Sequence, residues 1–223
     1  MNLLGLDTST PASAACVLRA DGQAFEVVPA VAELAAAPAH SRDLLTRVAE
    51  AMDRAGLDYP DLGAVAVGAG PGSFTGLRVG IATARGLAKA HGLELRPVSS
   101  LAALAAGIDA PERLPLIDAR RGEVFAALHG AGGERWAPFA AAPAELVERV
   151  REVGANPLAA GDGSLRFREL LEAAGVRVAD DGSQAHVVRA LHICRLAIDT
   201  PAVAPEAVLP TYIRDPDAKP STP

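Results

Sequence analysis

Cysteine is nearly absent from this chain: Cys16 and Cys194 are the only two in 223 residues. Each lies in an otherwise apolar run, which predicts two reduced core thiols in a reducing compartment rather than a disulfide framework, with a bridge between the two as the alternative. No stretch approaches the roughly 18 uninterrupted apolar residues of a membrane helix. The opening Met1-Asn2-Leu3-Leu4-Gly5-Leu6-Asp7 lacks the basic start and long apolar run of a secretion signal. The expectation is a cytoplasmic protein without a membrane span. Concentrated positive charge is also missing: the net charge is -6, and Arg120-Arg121 is the only adjacent basic pair. Gripping nucleic acid needs a positive face that displaces counterions from phosphates, so any RNA served by this chain must be held mainly by another subunit. None of the five histidines forms a His-x-x-x-His or His-Glu-x-x-His pair, which argues against a zinc or iron site. Gly70-Pro71-Gly72-Ser73-Phe74 lacks the second glycine of a nucleophile elbow, so nucleophilic hydrolysis has little support.

Half of the residues are hydrophobic, enough for a sizeable core, and the length falls between one large domain and two small ones. Residues 3–6, 14–18 and 24–28 read as strands, with the turn dipeptide Asp21-Gly22 before the third, and form a short antiparallel meander. A helix follows, capped by Ser41, with Leu44, Leu45, Val48 and Met52 on one face and Gly56 at its end. Residues 64–67 form a buried strand, 68–75 a tight loop, 76–91 a second helix and 95–98 another strand. A second unit begins near Ser99. Leu114-Pro115-Leu116-Ile117-Asp118, the apolar run 123–128 and the glycine turn 130–133 restate the opening, with Asp7 and Asp118 at matching positions. Helices are expected over 144–153, 165–174 and 185–199, and the proline-rich end is extended, its last residues disordered.

The strongest local signal is the glycine-rich loop that runs from Gly68 through Gly70, Gly72 and Ser73 to Gly76 and Gly80. Backbone N–H groups at a positive helix end suit phosphates or other anions. Yet Ser73 or Thr75 stands where a P-loop needs Gly-Lys, and a dinucleotide fingerprint from Gly70 needs a glycine at 75. The alternative is a tight turn that lets a helix pack closely on its sheet. Within that helix Gly76, Gly80, Ala84 and Ala88 form a small-residue ridge at four-residue spacing. Either the protein's own sheet approaches the ridge, or a partner helix does, with Leu77, Ile81 and Leu87 flanking the contact. Asp7-Thr8-Ser9-Thr10 offers hydroxyls that suit a phosphate or a metal-bound water, or that close their own turn. Gly161-Asp162-Gly163-Ser164 touches a nucleotide in one reading and starts a helix in another.

Four separate motifs resemble, in order, those of the TsaB family within the actin, sugar-kinase and heat-shock superfamily. They are Leu4-Gly5-Leu6-Asp7-Thr8-Ser9-Thr10, the block from Gly70 to Gly80, Ile117-Asp118-Ala119-Arg120-Arg121-Gly122-Glu123-Val124 and Pro210-Thr211-Tyr212-Ile213-Arg214-Asp215. The resemblance implies an α/β fold of two RNase-H-like subdomains with mixed sheets flanked by helices, residues 1–98 and a reduced 99–215, ahead of a tail at 216–223. It implies a non-catalytic scaffold that pairs with a TsaD-type paralogue and a TsaE-type ATPase. That assembly transfers threonylcarbamoyl from an adenylate to an adenosine of tRNAs reading codons that begin with adenine, and this chain meets the tRNA only through it. The pairing surface would be the two long helices, through Leu44, Leu45, Val48, Leu77, Gly80, Ile81, Ala84 and Leu87, and the same face would serve a homodimer when the chain is alone. Catalytic members carry a metal-binding histidine pair where this chain reads Ser99-Ser100-Leu101-Ala102-Ala103-Leu104-Ala105-Ala106-Gly107, so no catalytic residue and no cofactor are expected. ATP would be held only at a subunit interface. The candidate nucleotide or anion contacts are Asp7, Thr8, Gly70, Gly72, Ser73 and Gly161. The rival readings are a self-sufficient ATP-dependent transferase or kinase using Asp7, Thr8 and Gly161, and a metallopeptidase-like protein.

Overall fold

A computed structural model describes residues 1–213. The expected tail at 216–223, and Arg214-Asp215 of the closing motif, lie outside the described residues. Two five-stranded mixed sheets share one plan. In the first, β1 (Leu3–Asp7), β2 (Ala14–Leu18) and β3 (Ala24–Val27) form an antiparallel meander, and β4 (Ala64–Gly70) and β5 (Glu94–Ser99) add in parallel beyond β1, giving the order β3-β2-β1-β4-β5. In the second, β6 (Arg113–Arg120), β7 (Glu123–Gly130) and β8 (Gly133–Ala141) repeat the meander, and β9 (Leu158–Ala160) and β10 (Arg177–Val178) add in parallel beyond β6. Asp7 and Asp118 thus occupy equivalent strand ends, as the sequence echo implied. The α/β architecture with two mixed sheets flanked by helices agrees with the expectation.

Helix α1 (His40–Ala55) and α2 (Phe74–His91) cover one face of the first sheet. Leu44, Val48, Ala51, Met52 and Ala55 fall on one stripe of α1 and are buried, and Gly56 ends the helix in the left-handed region with φ 61°. Two expected starts move. Helix α1 begins at His40 after Ala39, which makes no side-chain cap, because the His40 imidazole turns into the core toward Ser13 while Ser41 faces solvent. Helix α2 begins at Phe74, two residues early, because Ser73 is its cap and accepts from the Gly76 N–H at 3.3 Å.

The opposite face of the first sheet is covered by α7 (Ala190–Ala197), the last helix of the second half of the chain, which packs on β1 and β2. Between the sheets lies α3 (Ser100–Ala106), packed on β4, β5, β6 and β7. The outer face of the second sheet carries α4 (Pro143–Glu152) and α6 (Arg168–Ala173). The helix expected over 165–174 is two short ones, α5 (Asp162–Arg166) and α6, because Phe167 breaks the spiral at φ −112° and ψ 22°. The helix expected over 185–199 is a single 3-10 turn at Gln184–His186 followed by α7.

Candidate functional site

The first strand-end corner is closed on itself. Asp7, Thr8, Ser9 and Thr10 are all at most 2% exposed. Asp7 Oδ1 accepts from the Ser9 N–H at 2.9 Å and from the Ser9 hydroxyl at 2.7 Å, and its Oδ2 accepts from the Ser100 hydroxyl of α3 at 2.9 Å. Burial pushes the Asp7 carboxyl up to about 6, against the pull of these three hydrogen bonds. Thr8 Oγ1 donates to the Gly76 carbonyl at 2.7 Å, and Ser73 N–H donates to the Ser9 carbonyl at 2.7 Å. The glycines make this closure fit. A Cβ at Gly68 would overlap the Asp7 carboxylate, and one at Gly72 would lie 2.5 Å from the Ser9 carbonyl oxygen. Asp7, Thr8, Gly72 and Ser73 therefore gather at one corner, where the side chains are spent on Ser9, Ser100 and the backbone of Gly76, while Gly70 faces Leu77 and Thr211.

Gly161 lies elsewhere, at the corresponding corner of the second sheet. It has φ 118°, and a Cβ there would overlap the Leu116 carbonyl. Its N–H donates to His186 Nδ1 at 3.0 Å, which puts the ring hydrogen on Nε2, where it reaches the Asp180 carbonyl at 3.0 Å. Next to it, Asp162 Oδ1 accepts from the Asp118 N–H at 3.1 Å. Burial first, and the nearby charge of Asp118, push the Asp162 carboxyl up to about 6. Asp118 Oδ2 takes two guanidinium groups, Arg166 at 2.7 Å and Arg120 at 3.2 Å. Arg120 and Arg121 sit at φ 64° and 54°, an uncommon conformation for side-chain-bearing residues.

Asp118, Arg120, Asp162 and Arg166 line a cleft of about 390 Å³ together with the apolar Pro11, Val31, Leu34, Ala35 and Ala36. Arg166 and the short helical turn at Val31–Ala35 were not singled out from sequence. Their only local signs are Asp162-Gly163-Ser164, which opens the helix carrying Arg166, and the alanine run after Val31. Among the described residues no group of three or more His, Cys, Asp or Glu side chains is placed to hold a metal ion.

The small-residue ridge of α2 faces inward, which corrects the expectation that it meets a partner. A Cβ at Gly76 would overlap the Thr8 carbonyl and one at Gly80 the Thr8 hydroxyl. Ala84 and Ala88 lie in the core under the first sheet with Leu44, Val48 and Ile81, and Leu77 is fully buried. Of the eight expected interface residues only Leu45, 55% exposed, is open to solvent, and Leu87 is half-buried against the core. The ridge is small because the end of β1 lies directly beneath it. A different strip of α2 faces outward: Thr75, Ala82, Gly86 and Ala90 are exposed, Val79 and Thr83 half-buried, and none is charged. A Cβ at Gly86 would meet nothing within 4 Å. Leu45 and Ala49 are exposed on the adjoining α1.

A family profile described as "TsaD: tRNA N6-adenosine threonylcarbamoyltransferase" matches residues 27–195. An uncharacterized protein of Mycobacterium tuberculosis is 34% identical over 218 residues, 98% of this chain and 94% of its own length. The tRNA threonylcarbamoyladenosine biosynthesis protein TsaB of Escherichia coli is 36% identical over 132 residues, 56% of this chain and 53% of that protein. Among solved structures, a Pseudomonas aeruginosa protein described as similar to peptidase YeaZ is 30% identical and aligns over 96% of this chain and 99% of its own, with a TM-score of 0.76. A second P. aeruginosa structure, YeaZ itself, is 29% identical over 95% of this chain and 99% of that one, with a TM-score of 0.74. The chain therefore belongs to the tRNA N6-adenosine threonylcarbamoyltransferase family, in its TsaB/YeaZ branch.

Proposed function

We propose that this chain serves in the formation of threonylcarbamoyladenosine on tRNA as a scaffold and activator that pairs with a TsaD-type catalytic subunit and works with a TsaE-type ATPase. The observation that carries this reading is the first corner, where the side chains best placed to hold a phosphate or a metal-bound water, Asp7, Thr8, Ser9 and Ser73, bond to one another and to the backbone. Chemistry then falls to the partner, and with it the main grip on tRNA. The pairing surface is the outward, uncharged strip of α2 with Leu45 and Ala49 of α1, in place of the buried ridge. Close helix packing favours small residues, and Gly86 leaves room for a neighbouring backbone. The same strip would serve a homodimer, and ATP would be held at the boundary between subunits.

Reconstitution tests this. Modified tRNA is expected to accumulate when the TsaD-type and TsaE-type proteins are supplied together with this chain, and not when any one is omitted. The double variant Leu45→Glu, Ala82→Glu is expected to weaken pairing at least about tenfold while leaving the thermal midpoint unchanged, since both side chains are solvent-exposed. Tight pairing by that variant, or modification of tRNA by this chain alone, overturns the proposal. The cleft between Asp118 and Leu34 is what would favour the rival reading of a self-sufficient ATP-dependent enzyme, and calorimetric titration with Mg-ATP followed by a turnover assay decides between them.

A further inference from the structure

Cys16 and Cys194 are the chain's only cysteines, both fully buried, and lie 178 positions apart in sequence. Folding brings them face to face. Cys16 points from β2 and Cys194 from the inner side of α7 into one apolar cluster with Leu3, Leu18, Ala64 and Ala190. Cys194 Sγ lies 3.6 Å from the Cys16 carbonyl oxygen and 3.9 Å from that of Leu3. Gly5 of β1 permits this approach: a Cβ there would stand 2.5 Å from Cys194 Sγ and 2.7 Å from the Ala190 carbonyl oxygen. A glycine at this position keeps α7 near enough to the sheet for the sulfurs to meet.

The cluster also adjoins solvent. A groove of about 210 Å³, lined by Met1, Leu3, Leu18 and Ile198, opens at the C-terminal end of α7. Leu3 and Leu18 are shared between groove and cluster, so outward movement of the last turn of α7 would expose the sulfurs along this path. The neighbouring Cys16, and burial, push the Cys194 thiol well above its ordinary value, so Cys194 stays protonated until that movement occurs.

We infer that Cys16 and Cys194 form a redox latch, a pair of thiols that closes to a disulfide and ties the C-terminal helix to the first sheet. The oxidant is a small disulfide of the glutathione class. As α7 opens, one cysteine thiolate attacks it and expels one thiolate, leaving a mixed disulfide on the protein. The second cysteine then attacks the protein-bound sulfur of that mixed disulfide and expels the other thiolate. Two protein thiols are oxidised to one disulfide, the small disulfide is reduced to two thiols, and the two cysteine protons pass to the departing thiolates. The cross-link closes a loop spanning 178 positions of the 223-residue chain, which restricts the unfolded ensemble strongly.

The test equilibrates the full chain in glutathione buffers from fully reduced to mostly oxidised, quenches with acid, and combines thiol titration in denaturant, non-reducing peptide mapping and thermal unfolding. The expected result is loss of both titratable thiols, a single Cys16–Cys194 linked peptide, and a rise of roughly 5–15 °C in the thermal midpoint that dithiothreitol reverses. Cys194→Ser and Cys16→Ala are each expected to abolish the rise, and if either variant fails to fold, the thiol count and peptide map of the unaltered chain still decide. Retention of both thiols in the oxidised buffer, capping of one cysteine by glutathione without a cross-link, or a cross-link that leaves the midpoint unmoved would each overturn the latch.

Discussion

Gly80 and Gly86 lie in the same helix, and both lower its intrinsic stability by about 1 kcal/mol relative to alanine. Their surroundings are opposite: a Cβ at Gly80 would overlap the Thr8 hydroxyl, whereas one at Gly86 would meet nothing within 4 Å. Gly80→Ala is accordingly expected to lose about 1–3 kcal/mol through overpacking. Gly86→Ala is expected to gain up to about 1 kcal/mol, and urea midpoints of the two variants check the divergence. The ridge was legible in the sequence, but the side that filled it was not, because four-residue spacing describes a stripe without saying what covers it. Charge shows the same limit. Asp7 and Asp118 stood out as strand-end acids, while the pairing of Asp118 with Arg166 joins residues 48 apart through a helix whose position only the assembled sheet defines. Asp7 and Asp162 both have carboxyls raised by burial to about 6, above their ordinary value of 3.8. Between these values the folded chain holds protons that the unfolded chain has released, so stability falls as pH rises from about 4 to about 6, by roughly 3 kcal/mol for each group. Denaturant titrations across that window are expected to show the decline, and Asp7→Asn or Asp162→Asn should each remove about half of it.

At the scale of elements, α7 shows how a short helix is held by its surroundings. The Glu26 carboxylate, 5% exposed at its side chain, accepts from the Leu191 N–H at 3.0 Å and pairs with the Arg189 guanidinium at the helix start. At the other end Arg96 donates to the Ala197 carbonyl at 3.0 Å and the Ile198 carbonyl at 3.1 Å. A negative group at the N-terminus and a positive one at the C-terminus both complement the helix dipole, and both come from the first sheet. Glu26→Ala leaves Arg189 unpaired and is expected to cost about 3 kcal/mol, with early proteolysis around α7; Arg96→Ala, at a wetter site, is expected to cost about 1 kcal/mol. Elements of this kind were poorly legible in advance. Local periodicity sufficed for the existence of α1, α2 and the first sheet, though not for the starts of the two helices. It did not suffice for β9 and β10, three and two residues long, which exist because β6 offers an edge to β9 and β9 one to β10. Nor did it suffice for β8, whose Pro138 and exposed positions argue against a strand except at the edge it occupies.

For the molecule as a whole, the duplication of one sheet plan raises the question of whether each half folds for itself. Its interior argues against independence. One apolar cluster contains Ala66 and Val98 of the first sheet, Leu101 and Leu104 of α3, Ile117 and Phe125 of the second sheet, and Ile193 of α7. Helix α3 therefore serves both sheets at once, and α7 returns from the end of the second half to cover the first. Neither sheet can lose its inner face without exposing the other's. A single cooperative unfolding transition is expected, and the chain supplies separate reporters for it. Trp136, the only tryptophan, is buried on β8 of the second sheet, and Tyr59 stacks on His91 at the end of α2 beside the first. Tryptophan fluorescence and tyrosine absorbance should give coincident thermal midpoints, which is the mark of two-state behaviour. Leu104→Ala removes buried volume from the shared layer and is expected to lower both midpoints together by the equivalent of about 2–5 kcal/mol. Two separated transitions, or a Leu104→Ala variant that shifts the tryptophan signal alone, would show that the halves are independent domains that touch without sharing a core.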